Sequence, residues 1–548
     1  MPRRSLKQDS FFDPQLVCPS CLQEGTVFWL LAHHRSKLFP HWLVKGWRGE
    51  GHRGRKAWPP KVLMTLVLLR FTEQSISRRA SCRRANTDMK WRAAMGLACD
   101  IPPPDEKTVR NFEAFLRSRH PEAGVKRFVL FHEHIVRLCQ RAAVLEDEQL
   151  WVCDSTPMWC YGAVVDTVRM LGKGIIRVAR QYAEARRTSL DEVLSNQEID
   201  WAKAPSIKGA FDIDWKDPDQ RHEVLERLGT KAVEIVEEVR TTLDQLRGGK
   251  TKKLLKLCRH LMKVVEQNLE STEDGRLRIA DGVATGRLIS LTDPQARHGR
   301  KSNSRKFNGF KLHLLGDAIS GLITSLTVTP GDVADGQPAA RLIRRAKRLC
   351  ESMHTLLADT AYGSAPLRKR AQRQWGVHII APPRGGTDSG ERLGKSDFEV
   401  NVDEGWARCP NGVVSEQLGW VKYPGDLTRK APRFLWPKKK CQDCPLQYRC
   451  VARKKQRNSR MVFHPDEQTL RRLRAEWNQP EIRQHYRKRS QGERLVNETV
   501  RRGARNAMAW GLGSAELQAY VIVMVNNLSL LAKALANEGP DDVFDAAG

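Results

Sequence analysis

Apolar and polar positions alternate with two different periods along the chain, and the changes of period divide it. Leu150, Trp151, Val152 and Cys153 form a short apolar run inside QLWVCDSTPMW, with the length and composition of a buried strand. Asp154 is its expected exit, where Ser-Thr-Pro turns the chain away. Roughly from 165 to 275, valines and leucines recur at steps of three and four, as in KAVEIVEEVRTTLDQL, which predicts an inserted helical subdomain. Then FNGFKLHLLGDAISGLITSLTVTPGD, residues 307–332, holds two β-like runs around a Gly-containing turn and predicts a hairpin. GQPAARLIRRAKRLC reads as helix, HTLLAD as strand, TAYGSAPLRKRAQRQWG as helix and VHIIAPP as a last strand. Helical periodicity returns in PEIRQHYRKRSQGERLVNETVRRGARNAMAW and SAELQAYVIVMVNNLSLLAKALAN.

Ahead of the first strand, residues 1–45 read as irregular, and a Gly/Arg-rich loop, GWRGEGHRGRKAWPP, follows. Next come an apolar helix in KVLMTLVLLRFTEQ, a more polar pair in SISRRASCRRANTDMKWRAAMGL and a helix after Pro103 and Pro104, with Asp105 and Glu106 suited to its first turn. The expected fold class is α/β. The order strand, hairpin, helix, strand, helix, strand is the plan of an RNase H-like mixed sheet flanked by helices. The expected organisation is a helical DNA-binding domain over 1–145, a catalytic core from 146–165, 280–385 and 480–537, a helical insertion over 166–279 and a Cys-rich insertion over 386–479.

Three carboxylates stand out within that plan. A carboxylate at the carboxyl end of a buried strand faces the crevice where open α/β sheets place their chemistry. Asp154 alone reads equally well as a solvated residue capping the Ser-Thr-Pro turn. HTLLADTAYG repeats the same grammar, with Asp359 ending a second apolar run, so the two ends could lie side by side in one sheet. Near the C-terminus, Ile482, Tyr486, Arg489, Glu493, Val496 and Val500 fall on one helical face, presenting Glu493 among apolar and aromatic neighbours. The plainer reading of Glu493 is an i,i+4 ion pair with Arg489. Glu498 lies off that face.

Charge changes the picture, because 93 Lys and Arg against 63 Asp and Glu leave a net charge of +30 spread over many segments. A surplus of that size points to a polyanion partner, and since the charge is not confined to a tail, nucleic acid fits better than a soluble protein that happens to be basic or a ribosome-associated one. Arg78, Arg79, Arg83, Arg84 and Arg92 sit on the short N-terminal helices, and Arg300, Lys301, Arg305, Lys306 and Lys311 surround the start of the hairpin. Each set is a candidate phosphate-binding surface or an ordinary solvated face. The N-terminus lacks an apolar signal region and no run of eighteen apolar residues occurs, so neither a secretory signal nor a membrane span is expected, and a cytoplasmic, nucleoid-associated protein is. Thirteen cysteines, an odd number, then point to reduced thiols with a metal site among them. Cys409, Cys441, Cys444 and Cys450, spaced C-x31-C-x2-C-x5-C, would allow one tetrahedral Zn²⁺ site, while Cys18 and Cys21 read as stray core thiols.

Several of these stretches together resemble one family. WRGEGHRGRKAWPP with SRRASCRRANTDMKWRAAMGL, DSTPMWCYGAVVDT, GRKSNSRKFNGFKLHLLGDAISGLI, DTAYG, the cysteine segment and YRKRSQGER resemble, over most of the chain, a bacterial insertion-sequence transposase of the DDE, RNase H-like superfamily, in the group numbered eleven-eighty-two. YRKRSQGER is similar to the third catalytic block, Tyr-x2-Arg-x3-Glu, which makes Tyr486 and Arg489 supporting residues. The block's closing lysine is absent: Val500 stands there, with Arg501 beside it. PPPDEKTVRNFEAFL keeps only loosely the family's Phe-Asp-x-Ser-Thr-Leu. The resemblance implies that Asp154, Asp359 and Glu493 hold two Mg²⁺ (or Mn²⁺) ions roughly 3.5–4 Å apart for phosphodiester hydrolysis and strand transfer. Double-stranded DNA, as element ends and target, is the implied partner, met by a homodimer. A regulator that has kept the fold and lost catalysis, or a plain nuclease on the same core, remains the alternative.

Overall fold

The computed structural model describes residues 13–47, 57–245, 250–271, 277–280, 284–301, 304–383, 393–415, 417–423, 426–450, 459–538 and 543–544. Most of the Gly/Arg-rich loop, residues 48–56, lies outside them. The N-terminal part consists of helices α1 (Val27–Leu38), α2 (Pro60–Leu69), α3 (Arg78–Thr87), α4 (Met89–Met95), α5 (Glu106–Arg117) and α6 (Arg127–Arg141). Helix α1 corrects the expectation of an irregular start. Its buried side chains, Val27, Phe28, Leu30, Leu31, Ala32 and Leu38, are not confined to one narrow stripe, so no amphipathic signal marks it, and the Thr26 hydroxyl caps it by accepting the Trp29 N–H at 3.3 Å.

At the centre is a six-stranded sheet built from β1 (Trp151–Trp159), β2 (Arg297–Arg300), β3 (Lys306–Asp317), β4 (Ile323–Pro330), β5 (Thr355–Ala358) and β6 (His378–Ile380). β3 pairs antiparallel with β1 along its whole second part, while its other edge takes β2 over Lys306–Gly309 and β4 over Phe310–Gly316. On the far side of β1, β5 and then β6 run parallel to it. The β3–β4 pair is the expected hairpin. One correction concerns β1: Asp154 is not its exit, and Ser155, Thr156 and Pro157 continue the strand because each has a partner on β3.

Between β1 and β2, helices α7 (Thr167–Arg186), α8 (Pro218–Thr241) and α9 (Lys250–Glu266) close around their own apolar cluster, with Ile175, Val178, Leu228, Ile235 and Leu261 at its heart, as the three-and-four periodicity requires. Helices α10 (Ala339–Leu349) and α11 (Ala365–Trp375) cover the face of the sheet carrying Trp151, Cys153, Leu315 and Ala358. The Cys-rich segment adds β7 (Gln417–Tyr423), β8 (Asp426–Trp436) and β9 (Ser459–Val462) as a separate antiparallel sheet. The chain then returns through α12 (Glu467–Trp477), α13 (Pro480–Arg487), α14 (Glu493–Thr499) and α15 (Leu512–Glu538).

Helix α15 is long and apolar enough to cross a membrane by length and composition, although polar residues interrupt its apolar run. Of its most apolar stretch, 72% is buried inside the protein. Tyr520, Val521, Leu528 and Leu531 share one cluster with Leu31 of α1, Phe128, Phe131 and Ile135 of α6 and Leu326 of β4. The N-terminal helices therefore share the core of the sheet region and do not form an independent body. Asn527 fixes α15 to β4: its amide oxygen accepts the Ile323 N–H at 3.2 Å and its amide nitrogen donates to the Ile323 carbonyl at 2.8 Å, standing in for a neighbouring strand. Replacing Asn527 with Leu strands the buried Ile323 N–H, while the carbonyl keeps the His132 imidazole at 3.0 Å, and chemical denaturation should show a loss of about 1–2 kcal/mol.

Candidate active site

β1 and β5 are in register as Val152 with Leu357 and Cys153 with Ala358, so the next residues on the two parallel strands are Asp154 and Asp359. Neighbouring strands lie ~4.8 Å apart, which sets two carboxylates beside one another. Alternation along β1 places Leu150 and Val152 on the face packed by Trp477, Ile482 and Tyr486, and Asp154 follows on that face. Asp359 also starts a short 3-10 turn, where its Oδ1 accepts the N–H groups of Ala361 at 2.9 Å and Tyr362 at 3.4 Å. Asp154 Oδ1 accepts the Ser155 N–H at 2.8 Å, and its Oδ2 lies 3.3 Å from a guanidinium nitrogen of Arg489.

Burial raises the pKa of both aspartates above the ordinary carboxylate value. The Arg489 charge opposes the rise at each; Asp359 adds to it at Asp154, and Asp335 adds to it at Asp359. Lys301, just after β2, exerts a smaller opposing effect on Asp154, so it lies within electrostatic reach of that carboxylate. Tyr486 stands over the same group: burial raises its pKa, with the charges of Arg489, Asp359 and Asp154 all acting on it. Crowded oxygen donors that ionise reluctantly and repel one another suit a hard divalent cation, and the hydrogen bonds from Ser155, Ala361 and Tyr362 fix their orientation.

A polar chain supports the pair. Ser155 donates to Asp335 at 3.1 Å, and Lys311 pairs with Asp335 at 2.7 Å. His313, fully buried, is linked to the Tyr362 hydroxyl at 2.8 Å and to the Thr329 hydroxyl at 2.9 Å. Burial lowers the His313 pKa to about 4, so it is neutral and serves as a hydrogen-bonding strut. The sequence reading missed Asp335. Its only local signal is a second aspartate in VTPGDVADG, since its partner Ser155 lies 180 residues away in the chain.

The structure does not gather Glu493 with the two aspartates. Glu493 is exposed at the start of α14, and among the described residues no three His, Cys, Asp or Glu side chains stand together as a metal-holding group. The single helical face expected from Ile482 to Val500 is also broken. α13 ends at Arg487, a 3-10 stretch covers Lys488–Gly492, α14 follows, and a π-helical turn with Gly503 at φ 101° takes over at Val500. Gly492 permits this path, because a Cβ there would lie 2.4 Å from Val152 Cγ1. Gly492→Val should push the Arg489–Glu493 segment off β1, cost about 1–3 kcal/mol in a denaturant titration and lower any activity of the pair.

The basic residues separate in the same way. Arg92 is buried, donating to the carbonyls of Ala85, Ala98 and Ile101, and Lys311 is committed to Asp335 and the Val333 carbonyl; both correct the expectation of DNA contact. Arg78 pairs with Glu113, which also holds Arg70, and Arg84 pairs with Glu73 and Asp88. Arg79, Arg83, Arg300, Lys301, Arg305 and Lys306 are exposed. The zinc expectation finds no support: Cys409, Cys441 and Cys450 pack against an apolar cluster of Phe398, Phe434, Trp436 and Phe463, and no metal-holding cluster forms among the described residues.

The family described as a transposase DDE domain matches residues 284–528, and a second transposase domain family matches residues 36–114. β1 and Asp154 lie outside both matches, yet β1 is the strand that joins β3 to β5 in the sheet formed by the matched residues. No curated protein and no solved structure matches the chain. Together the two matches, one running from the end of α1 into α5 and the other spanning β2 to β6 and the C-terminal helices, support a bacterial insertion-sequence DDE transposase.

Proposed function

We propose that the protein cuts and rejoins the ends of an insertion sequence at the Asp154–Asp359 pair, on a core of RNase H-like plan. The observation carrying this reading is the register of β1 with β5, which sets two reluctantly ionised carboxylates side by side in a chain matched by the transposase DDE domain. The strand order β4-β3-β1-β5-β6, antiparallel on one side of β1 and parallel on the other, supports the RNase H-like assignment.

Asp154 and Asp359 would hold Mg²⁺ or Mn²⁺, with Glu493 as the third carboxylate brought in from α14. The bound ions supply activation of a water or 3′-hydroxyl and neutralisation of the leaving oxygen. The chain's own residues do the rest. Arg489 steadies Asp154 and keeps the pair ionisable, the Asp335–Ser155 contact and the turn after Asp359 fix both carboxylates, and Tyr486 covers them from the side of α13. Arg300, Lys301, Arg305 and Lys306 would hold the scissile strand, while Arg79 and Arg83 of α3 face a second stretch of duplex. Double-stranded DNA is thus the partner, and bringing two ends together requires at least two copies of the chain at the ends. On this reading the protein works beside chromosomal DNA in the cytoplasm.

Incubating the protein with labelled element-end DNA and Mg²⁺ tests the reading. Cut ends joined to new DNA are the expected result. Cut ends that are never joined would make the protein a nuclease, and DNA bound without cleavage would make it a binding protein on a retained fold.

A further inference from the structure

Exposed aromatic side chains are usually scattered, but two of them meet just beyond the end of β1, whose last residue is a third. Trp159, Tyr161 and Trp510 are 40%, 57% and 58% exposed. Backbone pairing brings them together: the Trp159 N–H donates to the Arg505 carbonyl and the Ala507 N–H to the Trp159 carbonyl, each at 2.8 Å. Tyr161 and Trp510 then sit with ring centroids 6.0 Å apart, and Trp159 meets Phe307 of β3 edge-on at 6.3 Å. The supporting backbone is held in place, since Gly511 N–H donates to Asp293 at 3.1 Å and Leu512 N–H to Gln295 at 2.9 Å.

The surroundings identify the occupant. Through Phe307, which pairs with Gly299, Trp159 adjoins the ends of β2 and β3, where Arg300, Lys301, Arg305 and Lys306 are exposed. Arg505, beside Trp159, donates to the Thr156 hydroxyl at 3.1 Å, two residues along β1 from Asp154. Trp159 itself lies five residues from Asp154 on that strand, about 16 Å at ~3.3 Å per residue. An apolar protein surface seated here would strip water from the neighbouring cations and return no charge. A DNA duplex would satisfy those cations but present no base faces to the rings. A single strand does both, with phosphates on the basic turn and bases on the aromatic rings.

We propose that Trp159, Tyr161 and Trp510 form a stacking platform for unpaired bases of a DNA strand whose backbone follows the β2–β3 turn towards Asp154. The inference rests on the reading of the carboxylate pair as a DNA-processing site, and it adds a requirement for locally unpaired DNA next to that site.

The test uses the full chain in chelator, so that no cleavage intervenes. Fluorescence anisotropy measures its affinity for a labelled duplex and for the same duplex with a short unpaired tail. Wild-type protein should prefer the tailed DNA, and Trp510→Ala and Tyr161→Ala should each weaken tailed binding by about tenfold while duplex binding stays within twofold. Trp510→Phe should recover most of the loss, and 2-aminopurine in the tail should be quenched by wild-type protein and by Trp510→Phe but less by Trp510→Ala. Equal affinity of wild type and the alanine variants for tailed DNA would overturn the platform alone, as would equal losses on both DNAs. Wild-type protein that binds neither DNA would overturn the platform together with the DNA-processing reading.

Discussion

Asp154→Asn and Asp359→Asn should each lower cleavage and joining of element ends by about a thousandfold, corresponding to ~4 kcal/mol of lost transition-state stabilisation. Asparagine keeps the shape and the backbone-facing oxygen but removes a charge that a divalent cation requires. Affinity for end DNA, measured in chelator, should stay equal or rise slightly, because a carboxylate facing phosphate is replaced by a neutral group. Folding stability gives a second readout with a definite sign. The folded pKa of each aspartate lies above the ordinary 3.8, so ionising it disfavours the folded state, and that cost is fully present above the folded pKa. As pH falls through the folded pKa towards 3.8 the cost disappears. The Asn variants should therefore melt above the parent at pH 7–8, with the advantage shrinking as the pH is brought down through the carboxylate range. Variants that cut normally would move the chemistry away from β1 and β5.

Why the two aspartates were legible in the sequence, and other features were not, follows from what each depends on. Leu150–Cys153 and Leu356–Ala358 are covered on both faces, so they read as unbroken apolar runs, and the carboxylate that ends each run stands out. The end of β1 was not legible, because the polar residues after Asp154 are kept extended by β3, a partner more than 150 residues away. Arg92 looked like its arginine neighbours, yet the Asp88 cap starts a new helix that turns it inward onto carbonyls which would otherwise lack donors. The C-terminal helical face failed for a similar reason. Periodicity assumes an unbroken helix, and the contact of Gly492 with Val152 is paired with a change to 3-10 geometry that heptad-like counting does not see. Cysteine spacing supplies candidate donors but not their surroundings, and here three of the four thiols border phenylalanine and tryptophan rings. The N-terminal helices read as a separate body because the residues that bind them to the sheet, Tyr520 to Leu531 of α15, come almost at the other end of the chain.

Glu493→Gln should lower cleavage at least a hundredfold, Asp335→Asn about tenfold, and Glu498→Gln should leave it near the wild-type rate. Glu493 follows Gly492, the residue seated against Val152 of β1, and it lies four positions after Arg489, which already touches Asp154. Its place on the segment seated against β1 is what makes Glu493 the proposed third carboxylate. Glu498 is committed elsewhere, pairing with Arg501 at 2.7 Å, so its amide should be tolerated. Asp335 holds Ser155 and Lys311; asparagine keeps an oxygen for Ser155 but gives up the ion pair, loosening the strand beside Asp154 without removing a proposed ligand. Single-turnover cleavage across a Mg²⁺ series separates the two roles. A missing ligand should depress the rate at saturating metal and raise the metal concentration required, whereas a loosened support should mainly lower the rate. If Asp335→Asn proves as inactive as Asp154→Asn while Glu493→Gln still cuts, the third carboxylate is Asp335, already within electrostatic reach of Asp359, and α14 serves only to pack Arg489 against β1.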